Sequence, residues 1–541
     1  MSGEDLCMGG RKEKGAHMQP FFMTAKEIVE RGSGDFPHEF SPADSLILSS
    51  PATLSYTSPG ANGYGVKRAG LVLPESVMLL ISPGCCGRNS TILSRVSGYS
   101  ERMFYLTLTE KDLVTGRYLK KIPDACVEIA DVYRERSGKM PRVIVLCITC
   151  VDALLGTDLE RVARKCEKAL HQVLETEGDR TENALAGRAP EESMFIRVVP
   201  SYMYALTREG TRPPMTAIRK TLYSLLERKP VNPRAVNILG NFAHLSDDCE
   251  LYDLFQKAGL AQIREIGRMK SLDDYMQMGE ANFNLVLNPE AVYAAEDLAT
   301  RLQMPYVTMT RLYDPTKIAR QYQLLGAAIG VRFDDAPYRK EAEEKKKNFL
   351  ERHPRLRVVL GQMLNANPFE LAANLVAWGW LVPEIFAAPS EPDLPFLKEL
   401  AAISPDTKIY SSSHPTMAAF RPVRGRGTTG DSSGSPSQVS ISRDGSSQVE
   451  STAPSPLPQP GQSNENRPWW IHEGEATRIV PDGSAQEVPL EPSPMVPPDL
   501  TLGKDAAYYY PGVPNVPWSD DIQPFGYRGL IALLDACDAV L

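Results

Sequence analysis

The stretch VMLLISPGCCGRNS, Val77 to Ser90, decides how this chain is read. Val77 to Ser82 is an apolar run of strand length. Pro83-Gly84 supplies the turn that ends it, and Gly87 lets the backbone approach something bulky. Two cysteines, Cys85 and Cys86, stand where the strand gives way. The same pattern recurs outward along the chain in VIVLCITC (143–150), MFIRVVP (194–200), AVNILG (235–240), FNLVL (283–287), PYVTM (305–309) and RVVLG (357–361). Each run is bounded by turn or capping residues. Helix-like segments lie between them at 158–175, 216–227, 248–258, 291–302 and 369–378. Repeated strand-helix alternation implies an α/β fold with parallel sheets and helices on both faces.

A chain of 541 residues is too long for one core, and at roughly 150 residues per domain three domains are expected. The boundaries read as an N-terminal extension at 1–45 with one short helix at 24–31, a first α/β domain at 46–230, a second Rossmann-like domain at 231–330 and a third at 331–420. Residues 421–500 are rich in Pro, Ser, Gly and Gln and poor in bulky aliphatics, which predicts a disordered insertion. Within it, Trp469 and Trp470 and the turns at Glu473-Gly474 and Asp482-Gly483 suggest a small hairpin. Residues 501–541 return to folded structure and close with an apolar helix.

At 42% hydrophobic and 23% charged, the composition is that of a soluble globular protein. The formal charge of −8 and the lack of a long basic block argue against nucleic acid as a partner. The start has no signal-like stretch, and nowhere do about 18 uncharged apolar residues run together, so a cytoplasmic protein without a membrane partner is expected. No G-x-x-x-x-G-K-[ST] occurs, so no nucleotide is expected on this chain, and any ATP used is bound by another protein. Gly425-Arg-Gly427-Thr-Thr-Gly430 matches G-x-G-x-x-G but sits in low-complexity sequence, without the strand and helix a dinucleotide site needs.

Nine cysteines in such a chain read as reduced thiols or metal ligands rather than a disulfide framework. Cys126, Cys166, Cys249 and Cys537 lie in helical patterns and are expected in the core. Cys86 and Cys150 both follow apolar strands, and ligands of open α/β sheets bind beyond the carboxyl ends of strands. Iron-sulfur chemistry needs several thiolates in a dry pocket that offers N–H donors. If 143–150 is a strand, Cys147 and Cys150 point to opposite faces, which makes Cys150 the candidate ligand and Cys147 a core residue. The pattern alone leaves ligation and core packing both open for Cys86 and Cys150. Among polar residues beyond strand ends, His244, Ser246 and Asp247 follow 235–240, and Asn288 and Glu290 follow 283–287. His244 is the candidate general acid, with a capping role as its alternative. Asn365 and Asn367 read as caps of the next helix.

SPGANGYG (58–65), GLVLPESVMLLISPGCCGRNS (70–90), LTLTEKDLVTG (106–116) and VIVLCITCVDALLGTDLE (143–160), in this order, resemble the nitrogenase component 1 family. The resemblance spans roughly 50–415 and 500–541 and implies three Rossmann-like domains. It implies that Cys86 and Cys150 are metal ligands of an iron-sulfur cluster, a four-iron cluster shared with a partner chain, with Gly84, Cys85 and Gly87 around it. The family's first cluster cysteine is replaced by Ser55 or a neighbour. Asn288 stands where nitrogenases ligate their active-site cofactor through cysteine, and Gln523 to Gly529 offers no clear equivalent of the cofactor histidine. The implied function is therefore a nitrogenase-like oxidoreductase component with an unidentified substrate other than dinitrogen. Its implied catalytic residues are His244, Asp247 and Asn288, and its implied partners are an identical or paralogous component 1 subunit and an ATP-dependent iron protein. A non-catalytic metallocofactor scaffold and a cluster-free Rossmann-type binding protein are the two alternatives.

Overall fold

The apolar runs become parallel strands because both of their faces find cover. The computed structural model describes residues 20–31, 67–96, 98–149, 156–182, 196–202, 214–411, 414, 416–417, 420, 497–519 and 522–541. In chain order the strands are β1 Phe22–Thr24, β2 Ser76–Pro83, β3 Met103–Leu108, β4 Val143–Ile148, β5 Arg197–Tyr202, β6 Asn232–Leu239 and β7 Gln262–Glu265. They continue with β8 Ala281–Val286, β9 Tyr306–Thr308, β10 Arg357–Gly361, β11 Leu381–Phe386, β12 Lys408–Tyr410, β13 Leu500–Leu502 and β14 Asn515–Val516.

Three sheets result, ordered β3-β2-β4-β5, β7-β6-β8-β9 and β1-β12-β11-β10-β13-β14. Neighbouring strands pair in parallel, except that β1 runs antiparallel to β12. Parallel neighbours need crossovers, which helices such as Gly84–Val96, Tyr118–Ser137 and Leu159–Glu182 provide around the first sheet. Alternation along β2 divides its side chains between two cores. Val77, Leu79 and Ile81 pack with Ile122, Cys126 and Cys166, whereas Met78 and Leu80 pack with Cys147, Leu222 and Ala294. The second of these cores also holds one face of the second sheet. The other face shares a core with the third sheet and the C-terminal helix Gly526–Asp538. The architecture is therefore α/β with parallel sheets flanked by helices, as the alternation implies.

Cys126, Cys147, Cys166, Cys249 and Cys537 are buried. One expectation is corrected: the strand from Val143 ends at Ile148, so strand alternation does not reach Cys150. Cys150, Ser55, the Gly425–Gly430 motif and the Trp469–Trp470 hairpin lie outside the described residues, as does the whole of 421–496. No helix among the described residues is long and apolar enough to cross a membrane.

Segments from both the N-terminal and the C-terminal part of the described chain join the third sheet. Phe22–Thr24 is its edge strand, and Leu500–Leu502 pairs between β10 and β14. The C-terminal helix is locked by Glu250, a carboxylate only 1% exposed. It accepts hydrogen bonds from the Tyr322 hydroxyl at 2.6 Å and from the backbone N–H groups of Tyr527 at 2.6 Å and Arg528 at 3.1 Å. A carboxylate at the first N–H groups of a helix satisfies donors that have no intrahelical acceptor. Gly526 makes this approach possible, since its φ is +64° and a Cβ there would lie 1.9 Å from Glu250 Oε1. Gly526→Ala is expected to cost more than about 2 kcal/mol in urea unfolding, because the left-handed backbone and the clash add.

Glu370 reports on the other side of the ledger of buried charge. It is fully buried on the helix Pro368–Ala377, accepts from Asn374 Nδ2 at 2.6 Å and Tyr313 N at 3.3 Å, and leaves Oε2 without a partner. Burial pushes its pKa up from 4.5 to about 7. The folded state thus keeps a proton that the unfolded chain releases, and stability falls as pH rises from about 4.5 to about 7. Glu370→Gln removes this dependence. Its stability relative to the parent protein is expected to improve by up to about 3 kcal/mol between pH 4.5 and pH 7.5 in paired denaturant titrations.

Candidate functional site

Two places at carboxyl strand ends gather polar chemistry. The first lies beyond β2 and β4. Pro83 closes β2, and Gly84, Cys85 and Cys86 form the first turn of the helix Gly84–Val96. A first helical turn presents unpaired N–H groups and a positive end, which favour a thiolate. Cys85 is exposed and Cys86 half-buried, with their sulfurs 3.9 Å apart.

Behind Cys86 lies Lys67, a residue that sequence reasoning missed. It is 4% exposed, and its ammonium donates to the Ser90 hydroxyl, which in turn donates to the Cys86 carbonyl at 2.8 Å. Burial pushes the Lys67 pKa down, and the nearby Cys147 and Cys86 thiols pull it back up. Cys147, on the same side of the sheet, is pushed up to about 12 by burial and is a neutral core thiol. The hydroxyls of Ser82 and Thr149, at the carboxyl ends of β2 and β4, are buried without a hydrogen-bond partner. Ser82, near the end of β2, and Thr149, just after β4, stand in equivalent register, one residue beyond the Ile81–Ile148 pair. No signal in the sequence singled out Lys67, because its role depends on a fold-back of residues 67–70 onto β2 and β4, where Gly70 rests against Met78 and Val145.

The expected glycines separate. Gly84 is exposed, and a Cβ there would make ordinary contact with Thr107, 3.6 Å away. Gly87 is buried, and a Cβ there would lie 2.3 Å from the Tyr105 ring. The bulky group that approaches the Gly87 backbone is thus Tyr105 of β3. The block that follows has a local cause as well. Thr109 and Asp112 form a capping box around the helix Glu110–Thr115, and Gly116 ends it at φ +66°. Lys121 and Thr109 hold the Asp112 carboxyl down to about 2.

The second place lies beyond β6, β8 and β9. His244 donates from Nδ1 to the Leu245 carbonyl at 2.6 Å in the tautomer this geometry selects, leaving Nε2 for other chemistry. Asp247, 3.9 Å from His244, is held by Arg268 at 2.5 Å, and that guanidinium keeps its carboxyl below the ordinary range. Asp247 is therefore a poor proton donor. Asn288 accepts from Glu290 N at 3.0 Å and so caps the turn Pro289–Ala291. Its backbone N would lie 2.8 Å from a Cβ on Gly240, which has φ +127°. The structure brings His244, Asp247 and Asn288 to one end of one sheet, whereas Cys86 lies at the end of another. Asn367 caps the helix Pro368–Ala377 through Phe369 N and Glu370 N.

The donors at the first place suit part of an iron-sulfur site: thiols at a helix N-terminus, a buried cation behind them, and two buried hydroxyls without partners. The set is partial. No group of three or more His, Cys, Asp or Glu among the described residues is arranged to hold a metal ion.

The family profile described as nitrogenase component 1 type oxidoreductase matches residues 63–359, and the chain belongs to that family. Its fold is similar to that of a solved nitrogenase Cp1 chain at pH 6.5, with 15% identity, a TM-score of 0.53, and coverage of 88% of this chain and 91% of that one. A Cp1 chain at pH 5 is 14% identical over 66% of this chain and 76% of its own length, and its TM-score of 0.43 bears no weight. No curated protein gives a significant match.

Gly87→Ala is expected to destabilise the protein by about 1–3 kcal/mol through overpacking against Tyr105. The double variant Gly87→Ala with Tyr105→Ala should recover most of that loss in a double-mutant cycle of urea unfolding, as expected for two groups in direct contact.

Proposed function

We propose that this chain is a nitrogenase-like oxidoreductase component. Cys86, with Cys150, supplies thiolate ligands to an iron-sulfur cluster, with the remaining ligands from a partner component 1 subunit, identical or paralogous. The observation that carries this reading is the pairing of Cys86 in a helical first turn with the buried Lys67 ammonium behind it. When bound, such a cluster stores and passes single electrons. Those electrons come from a separate ATP-hydrolysing iron protein, consistent with a sequence that has no phosphate loop. The substrate is other than dinitrogen and is reduced in the crevice beyond β6 and β8. Each two-electron reduction takes two electrons from the iron protein and two protons from solvent.

The chain's own residues have separable tasks in this scheme. Lys67 offsets negative charge at the thiols, and Ser82 and Thr149 offer hydroxyl donors to sulfur. His244, fixed at Nδ1, leaves Nε2 to take a proton from solvent and, as the imidazolium, to pass it to the substrate. Asn288 orients the turn beside it. Tyr105 over Gly87 favours a second reading, a cluster-free protein of the same fold, because it fills the space where another group would approach that backbone.

Iron and acid-labile sulfide, with electron paramagnetic resonance after dithionite, separate these readings on anaerobically purified protein co-expressed with its partner subunit. Stoichiometric iron and sulfide, lost in Cys86→Ala and Cys150→Ala and kept in Cys85→Ala, is the expected result. Iron-free, folded protein in the presence of the partner would leave the cluster-free reading.

A further inference from the structure

Arg311 stands three residues beyond β9, half-buried, at the same sheet end as Asn241, His244 and Asn288. Among the described residues its side chain makes one hydrogen bond, from Nη2 to the neutral Gln523 Oε1 at 2.7 Å, and its Nε–H is buried without an acceptor. Gln523 is fixed to the same loop: its N–H donates to the His244 carbonyl at 3.0 Å, and its carbonyl accepts from Ser246 N at 3.0 Å.

Glu370, which accepts from Tyr313 N, forms no ion pair among the described residues and is pushed up to about 7 by burial, and further acids on the surrounding segments are matched to other cations. Glu290 pairs with Arg219 at 2.7 Å, Asp247 and Glu265 pair with Arg268 at 2.5 and 3.2 Å, and Asp314 lies 3.5 Å from Lys346. No carboxylate forms an ion pair with Arg311 among the described residues, and burial pushes its pKa down with only the Tyr313 phenol opposing. A second donor is also left over, since Asn241 Nδ2, two residues beyond β6, is buried without an acceptor.

Withdrawing part of a guanidinium from water without a counter-charge is costly, and a protein retains such a group where something else supplies the anion. Two buried donors without acceptors at one sheet end, one of them on a guanidinium, suit a ligand rich in acceptors. The guanidinium fork matches planar or tetrahedral oxyanions, and the carboxyl end of a parallel sheet is where α/β proteins hold ligands. We propose that Arg311, assisted by Asn241, anchors a ligand carrying a carboxylate or phosphate group at the carboxyl end of the second sheet. This gives the chemical class of the substrate for the crevice described above, and it rests on that reading only in treating the ligand as substrate.

Calorimetric titration of the full chain with succinate and with inorganic phosphate, and with glycerol as the neutral control, tests it. The parent protein should bind at least one oxyanion and not glycerol, and the one it prefers separates carboxylate from phosphate recognition. Arg311→Met should weaken that binding at least about tenfold. Arg311→Lys should keep part of it, and Asn241→Ala should weaken it less than Arg311→Met does. In buffer free of oxyanions, Arg311→Met should melt no lower than the parent protein, since it removes an unmatched charge. The proposal is overturned if neither oxyanion binds the parent protein, if Arg311→Met binds as well as the parent, or if Arg311→Met melts well below it, which would make Arg311 a strut for Gln523. Cys86→Ala should bind the oxyanion unchanged, so failure of the cluster reading and failure of this one give different results.

Discussion

Burial of both faces of the parallel strands is the constraint on which the rest of this structure depends. β2 divides its side chains between two cores, and the second of those cores is shared with the next sheet. Strands covered in this way cannot present chemistry along their lengths. Functional groups are confined to the carboxyl ends, where the chain leaves the sheet and helices begin. The thiols of Cys85 and Cys86, the buried Lys67, and the loops carrying His244, Asn288 and Arg311 all lie at such ends.

The two ends use opposite electrostatic designs. At the first sheet, a lysine is placed behind thiols, so the positive charge sits inside and the sulfur faces outward. At the second sheet, Glu290 is matched by Arg219, Asp247 and Glu265 share Arg268, and the Arg311 guanidinium is left without a carboxylate among the described residues. Both arrangements concentrate positive potential where an electron-rich group would arrive, and low-dielectric surroundings strengthen that field. Elsewhere the buried carboxylates Glu250, Glu384 and Asp505 are held by hydrogen bonds from hydroxyl or backbone donors, as parts of the scaffold.

Much of the fold was legible because its strands are apolar on both faces. Val77–Ser82, Val143–Ile148 and Ala235–Leu239 stand out from their surroundings for that reason. β3, with its alternating exposure, and the short β7, β12 and β14 were not legible, since edge or brief strands carry too few buried residues to mark themselves. The candidate site was legible where a residue type implied its own chemistry, as with Cys86, and in caps such as Asn367, whose side chain acts on neighbouring backbone. Lys67 and Arg311 were not, because their meaning lies in which charges are missing around them. That is a property of the folded arrangement. Asp247 and Asn288 lie beyond strand ends, and Arg268 and Glu290 N engage their side chains there.

The position of β13 has a consequence for how the protein is made. Leu500–Leu502 is an interior strand of the third sheet, bonded to β10 on one side and β14 on the other. During synthesis, β10, β11 and β12 emerge long before it, so the edge of β10 stands open with unpaired backbone donors and acceptors. Closing that sheet is a long-range event that native local contacts cannot hasten. The length of chain between Tyr410 and Leu500 matters little to the final stability, because doubling a loop costs only about 0.6 kcal/mol. It matters more for how long the open edge is offered to other chains, and an early pairing at β10 is the error this topology most exposes.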